Sequence, residues 1–151
     1  MGLRGVYREW TRIVSSAFYV GYMPLAPGAF GSAAGFALAW FTHFALLPIL
    51  ILLSIMGFSV CKASELLYGR KDPQHFVMDE VCGMILSVLW VPKQLWVYSF
   101  AFILFRVLDT VKPWPIKLLQ NHAHPHSIMW DDLAAGFLTN IFLQIIVRFL
   151  I

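Results

Sequence analysis

The chain has 151 residues, enough for one compact domain, and a net charge of only +3. Hydrophobic residues make up 60%, charged residues 13%, and mean hydropathy is +0.73, whereas a soluble domain averages about 25% charged. That balance excludes an ordinary soluble protein and gives no reason to expect a nucleic-acid partner.

The first stretch, residues 3–19, predicts an amphipathic helix. Arg4, Arg8 and Arg12 recur every fourth residue, leaving Val6, Trp10, Ile13, Val14 and Phe18 for another face. Such a helix suits a membrane surface with its arginines toward anionic headgroups. The spread of arginines, with no small-residue cleavage site after a short apolar core, argues against a cleavable signal peptide. A glycine- and proline-rich loop follows over residues 21–31. It places Gly28, Gly31 and Ser32 at the start of an apolar helix running to about Leu47. Helix starts present unpaired N–H groups to anions, although such glycines also serve as tight turns or close packing points.

Pro48 is expected to separate this helix from a second over 49–68, and a charged loop from Gly69 to Pro73 comes next. Asp79 and Glu80 open a third apolar stretch over 79–91. One acid there is accounted for by capping; two ahead of an apolar run are less easily explained. A fourth helix, 95–111, ends in Phe105-Arg106-Val107-Leu108-Asp109-Thr110-Val111-Lys112-Pro113-Trp114-Pro115. Arg106, Asp109 and Lys112 are spaced by three, so they share one helix face, and the prolines end the helix. A short interfacial helix is expected over 114–120 and a loop over 121–127 containing His122, His124 and His126. Asp131 and Asp132 then begin a last apolar helix to Ile151. Cys61 and Cys82 lie in apolar stretches and read as small buried hydrophobes. His43 and His75 have no motif around them.

The predicted fold is all-α: one domain over 1–151, a membrane-embedded bundle of about four to five apolar helices plus the N-terminal amphipathic helix. If each apolar stretch crosses or forms one arm of a hairpin, every polar motif falls on one side. All cations except Lys93 and Arg148 fall there too, which makes that side cytoplasmic. Residues 79–91 and 95–111 are short for a full crossing of about 20 residues. Five acids, Asp79, Glu80, Asp109, Asp131 and Asp132, then meet at one level and call for a cation. Clustered oxygens favour Mg²⁺, and Arg106 and Lys112 are natural phosphate partners. The set describes a phosphoryl-transfer or phosphate-hydrolysis site at a membrane surface.

These residues carry a resemblance. Pro27-Gly28-Ala29-Phe30-Gly31-Ser32, Asp79-Glu80 followed by Gly83, Phe105-Arg106-x-x-Asp109-x-x-Lys112-Pro113-Trp114-Pro115, and Asp131-Asp132-x-x-Ala135-Gly136 resemble the phosphatidylglycerophosphatase A family in order and spacing. The resemblance implies a Mg²⁺-dependent lipid phosphatase of the bacterial inner membrane. It would convert phosphatidylglycerophosphate in the cytoplasmic leaflet to phosphatidylglycerol and phosphate. Asp79, Asp109, Asp132, Arg106 and Lys112 would be catalytic. Asp79, Glu80, Asp109, Asp131 and Asp132 would hold the metal. Gly28, Gly31 and Ser32 would join Arg106 and Lys112 around the phosphate. A water activated at the metal, or one of the aspartates, would attack phosphorus. The departure is at the loop before Asp131, where His122-Ala123-His124-Pro125-His126-Ser127 stands in place of the family's usual glycines. Its alternating histidines are read as solvated rather than as a transition-metal site.

Rival readings are another lipid phosphomonoesterase, a CDP-alcohol phosphotransferase, a cation transporter and a non-enzymatic cation-binding membrane protein. The phosphotransferase's spaced aspartates along two consecutive helices are absent. Transport acids belong near the bilayer midplane, not at helix ends. No Cys-x5-Arg loop supports a cysteine nucleophile. Oligomeric state is not indicated.

Overall fold

A computed structural model describes residues 3–114, 116–119 and 124–150. It is all-helical over those residues: α1 (Leu3–Ser15), α2 (Pro27–Phe41), α3 (Leu46–Tyr68), α4 (Met78–Ser87), α5 (Leu95–Val111), α6 (Ile116–Leu119) and α7 (Ser127–Leu150). Pro115 and His122 lie outside the described residues.

The short helix α4 is the axis of the bundle, packed on by α2, α3, α5 and α7. Eight of its ten residues are buried, as expected of a helix apolar on every side. Two crossings depend on residues without side chains. A Cβ on Gly83 would sit 2.6 Å from the Phe105 ring and 2.8 Å from the carbonyl oxygen of Asp132. A Cβ on Gly136 would meet the Gly83 backbone, with the Gly83 Cα only 3.0 Å away. So α4 and α7 touch backbone to backbone, and this close approach brings the acids at their starts together. At its other end α4 stops after ten residues. Its last carbonyls need partners there. The buried Asn140 amide of α7 donates to Ser87 O at 3.1 Å and to Leu89 O at 2.7 Å.

Two segments, His43–Tyr68 and Ser127–Phe149, are long and apolar enough to cross a membrane, with mean hydropathies of 2.5 and 1.4. Most of each stays unburied by the rest of the chain. At 15, 10 and 17 residues, α2, α4 and α5 are shorter than a crossing of about 20 requires. Among the described residues two helices therefore qualify by length and composition, and the expected count of four to five is not confirmed.

Several boundaries differ from expectation. The break after α2 comes at Thr42, followed by a short 3₁₀ turn at His43–Ala45. Pro48 lies inside the first turn of α3, where its missing N–H costs nothing. Helix α1 ends at Ser15 rather than Tyr19, because Ala17, Phe18 and Tyr19 turn left-handed (φ 47, 57 and 71°). Helix α4 ends at Ser87 rather than Val91, and α7 begins at Ser127, ahead of its aspartates. Of the interfacial helix expected over 114–120, the described residues are helical over Ile116–Leu119, α6. Helix α5 spans 95–111 as its flanking prolines dictate.

Candidate active site

The starts of α2, α4 and α7, the end of α5 and the loop after α3 enclose a cavity of about 500 Å³. Asp79, Glu80, Arg106, Asp109, Lys112, Asp131 and Asp132 all line it, as does Gly28. Four separate stretches of sequence thus converge on one space.

Within it the acids divide into two groups. Asp79 and Glu80 from α4 and Asp132 from α7 each offer an oxygen, and those oxygens lie within 4.8 Å of one another. Asp79 is 5% exposed and Asp132 3%. Glu80 Oε2 is buried with no hydrogen-bond partner. Asp109 and Asp131 are instead held by the two cations. Arg106 Nη1 donates to Asp109 Oδ2 at 2.8 Å. Lys112 Nζ pairs closely with Asp131, lies 3.8 Å from Asp109 and 4.0 Å from Asp132. Burial works against the Lys112 ammonium, but the hydrogen bond from it to Asp131 and the charges of Asp131, Asp132 and Asp109 outweigh that, and its pKa is raised. The predicted polar stripe therefore exists. Lys112 reaches it from just beyond the helix, as the left-handed C-cap of α5 (φ 44°).

The glycine-rich start of α2 plays a mixed part. Gly28 lines the cavity, and a Cβ there would press on Glu80 and come within 3.4 Å of Arg106 Nη1. Ser32 is fully buried and its Oγ accepts a 3.4 Å contact from Arg106 Nη1 while donating to Gly28 O. Gly31 faces Val77 and the Glu80 Cβ, so its absent side chain lets α2 close on α4 rather than opening toward the cavity.

A charge count indicates what the cavity accepts. Six carboxylates, Asp72 among them, stand against Arg70, Arg106 and Lys112, leaving three negative charges unbalanced, and the acids gathered together are Asp79, Glu80 and Asp132. At an effective dielectric of ~20, each charged pair within that trio would repel by roughly 3–4 kcal/mol, about 10 kcal/mol in all. That is comparable with the whole stability of a domain. A phosphate dianion could not enter unless cation charge came first. The donor set is oxygen only, three carboxylates are clustered and one buried oxygen lacks a partner; these residues fit a hard divalent cation of the Mg²⁺ kind.

The chain matches the family described as phosphatidylglycerophosphatase A over residues 13–147. It belongs to the phosphatidylglycerophosphatase A family. The Escherichia coli (strain K12) phosphatidylglycerophosphatase A is 32% identical over 133 residues, covering 84% of this chain and 77% of that protein. The Haemophilus influenzae phosphatidylglycerophosphatase A is 30% identical over 132 residues, 82% of this chain and 80% of that one. A Bacteroides thetaiotaomicron protein named "Putative phosphatidylinositol-3-phosphatase" is 29% identical over 137 residues, 82% of this chain and 85% of that one. No solved structure matches the chain.

Other polar residues fall outside this cavity. Cys61 and Cys82 are free, fully buried thiols. His43 Nδ1 lies 2.8 Å from Tyr98 OH, and His75 stacks on Tyr22 with Nδ1 2.9 Å from Gly21 O. His126 packs near Phe58. Sequence reasoning passed over Arg70 and Asp72, which line the cavity from the loop after α3. The available signal was the charge-rich segment from Gly69 to Pro73, which hairpin parity places on the acidic side.

Proposed function

We propose that this chain hydrolyses the phosphomonoester of phosphatidylglycerophosphate, giving phosphatidylglycerol and phosphate, with Mg²⁺ as cofactor. In this reading it is a multi-pass protein of a bacterial inner membrane with the cavity on the cytoplasmic side. Family membership supports the reaction class. The observation that carries the site is the unbalanced trio Asp79, Glu80 and Asp132 beside two cations in one cavity.

Asp79, Glu80 and Asp132 would hold the cation, with Asp109 and Asp131 adjacent. Bound there, Mg²⁺ supplies the positive charge that phosphoryl transfer needs at the phosphate oxygens. The rest is done by side chains. Arg106 is fixed from two sides, by Asp109 and by Ser32, and both contacts use Nη1. A guanidinium has five donors, so Nη2 and Nε remain for phosphate oxygens. Lys112 is placed among Asp109, Asp131 and Asp132 and keeps its charge, so it presents a second cation to the same phosphate. Holding both in advance lowers the reorganisation needed when charge shifts in the transition state. Helices α3 and α7 would cross the bilayer, leaving lipid tails between helices and the headgroup in the cavity.

The test is to incubate detergent-solubilised protein with phosphatidylglycerophosphate, with and without Mg²⁺, and to measure free phosphate. Release only with Mg²⁺ is expected. A parallel incubation with phosphatidylinositol 3-phosphate examines a second reading, favoured by the Bacteroides relative. No phosphate from either lipid with Mg²⁺ present would refute the proposal.

A further inference from the structure

We propose that Arg70 binds the phosphodiester of the lipid headgroup, giving the cavity a second anion position beside the one that holds the scissile phosphate. The inference rests on the lipid phosphatase reading above. The lipids it concerns carry two phosphates. One is the monoester to be cleaved; the other is the diester joining the headgroup to diacylglycerol. A pocket can select such a lipid over a simple phosphomonoester by recognising the diester as well.

Three cations line the cavity: Arg70, Arg106 and Lys112. Arg106 and Lys112 are already engaged with Asp109 and Asp131 at the reacting end. Arg70 is exposed and forms no ion pair among the described residues. Asp72, two residues on, lines the same cavity without pairing to it. An arginine left free on the wall of an anion-binding cavity is suited to a phosphate from outside, since its planar fork matches two phosphate oxygens.

Its placement agrees with this role. Arg70 follows the end of α3, one of the two helices able to cross a membrane, so it stands at the level where a headgroup diester lies. Gly69 (φ 68°) and Asp72 (φ 48°) turn the loop left-handed on either side of it. The far end of the loop is tied down: Val77 N donates to Ser15 O at 2.8 Å, and His75 is stacked on Tyr22 at 4.5 Å. These contacts fix the far end of the loop, and Arg70 lies on the cavity wall.

The products split the substrate into its two halves, which makes the test specific. Phosphatidylglycerol carries only the diester; inorganic phosphate occupies only the monoester position. For Arg70→Gln we expect KM for phosphatidylglycerophosphate to rise about tenfold, what one charge-assisted hydrogen bond is worth. Inhibition by phosphatidylglycerol should weaken by a similar factor. Inhibition by inorganic phosphate, kcat and the unfolding midpoint should stay within twofold or a few degrees of wild type. Arg70→Lys should recover part of the loss, since it keeps the charge but not the fork. Unchanged KM and unchanged phosphatidylglycerol inhibition would overturn the proposal. So would an equal weakening of inhibition by inorganic phosphate, which would place Arg70 at the monoester. If wild-type protein releases no phosphate from any lipid, the proposed function fails instead. Titrating wild type and Arg70→Gln with phosphatidylglycerol in mixed micelles then reads the diester site without turnover, and equal binding overturns it.

Discussion

Replacing Gly136 by alanine adds one methyl group, no charge and no polar atom, yet it should disable the site. The new Cβ would lie 3.0 Å from both Cα and the carbonyl carbon of Gly83, with the Gly83 oxygen closer still. Both neighbours are backbone, so no side chain can swing away. Helix α7 must retreat from α4 by ~1 Å, and overpacking of this kind costs roughly 1–3 kcal/mol. The two helices carry the trio, Asp79 and Glu80 on one and Asp132 on the other, with oxygens gathered within 4.8 Å. A displacement of about 1 Å at a reacting centre can cost on the order of 100-fold in rate. Phosphate release from phosphatidylglycerophosphate at saturating Mg²⁺ should therefore fall by about that factor, with a raised Mg²⁺ requirement and a lower midpoint of thermal unfolding. Gly69→Ala is the control. Nothing lies within 4 Å of its added Cβ, and it pays only the left-handed penalty of φ 68°, roughly 1 kcal/mol. It should lose stability and keep kcat and the wild-type Mg²⁺ requirement. A Gly136→Ala protein with wild-type turnover and Mg²⁺ dependence would refute the claim that this crossing sets the site.

Asp132→Asn and Asp109→Asn should each abolish phosphate release, the first by breaking the metal trio and the second by releasing Arg106; full activity in both, measured with a Mg²⁺ titration, contradicts the assignment. Lys112→Gln leaves the buried Asp131 without its counter-charge, so unfolding free energy should drop by about 3 kcal/mol and activity should be lost, whereas Lys117→Gln on the neighbouring turn should change neither.

Much of the site was legible because its signals are local or depend on parity. The spacing of Arg106, Asp109 and Lys112 fixes a shared face whatever the bundle does. Hairpin parity is enough to bring Asp79, Asp109 and Asp132 to one end without knowing a single packing angle. Which acid does what was not legible. Asp109 and Asp132 look equivalent along the chain; helical spacing alone lets Asp109 meet Arg106, but only the packing of α7 against α4 decides that Asp132 joins Asp79 and Glu80. The central place of α4 was hidden for a similar reason. Its stop at Ser87 is permitted by Asn140, a residue more than 50 positions away. Pro48 misled because proline is read as a break, yet it is equally at home in a first turn. Arg70 gave no distinctive pattern, since one arginine in a charged loop looks like ordinary solvated surface.

The Asn140 clasp on the end of α4 has a wider consequence. Below the carboxylates the interior is closed by Met84, Ile85 and Val88, all fully buried, and the clasp lets the axial helix finish there without leaving its carbonyls bare. Among the described residues the cavity thus has a mouth and an apolar floor. Were the chain to act on a lipid as proposed, substrate and both products would share that mouth, and the product lipid would return to the leaflet that supplied the substrate.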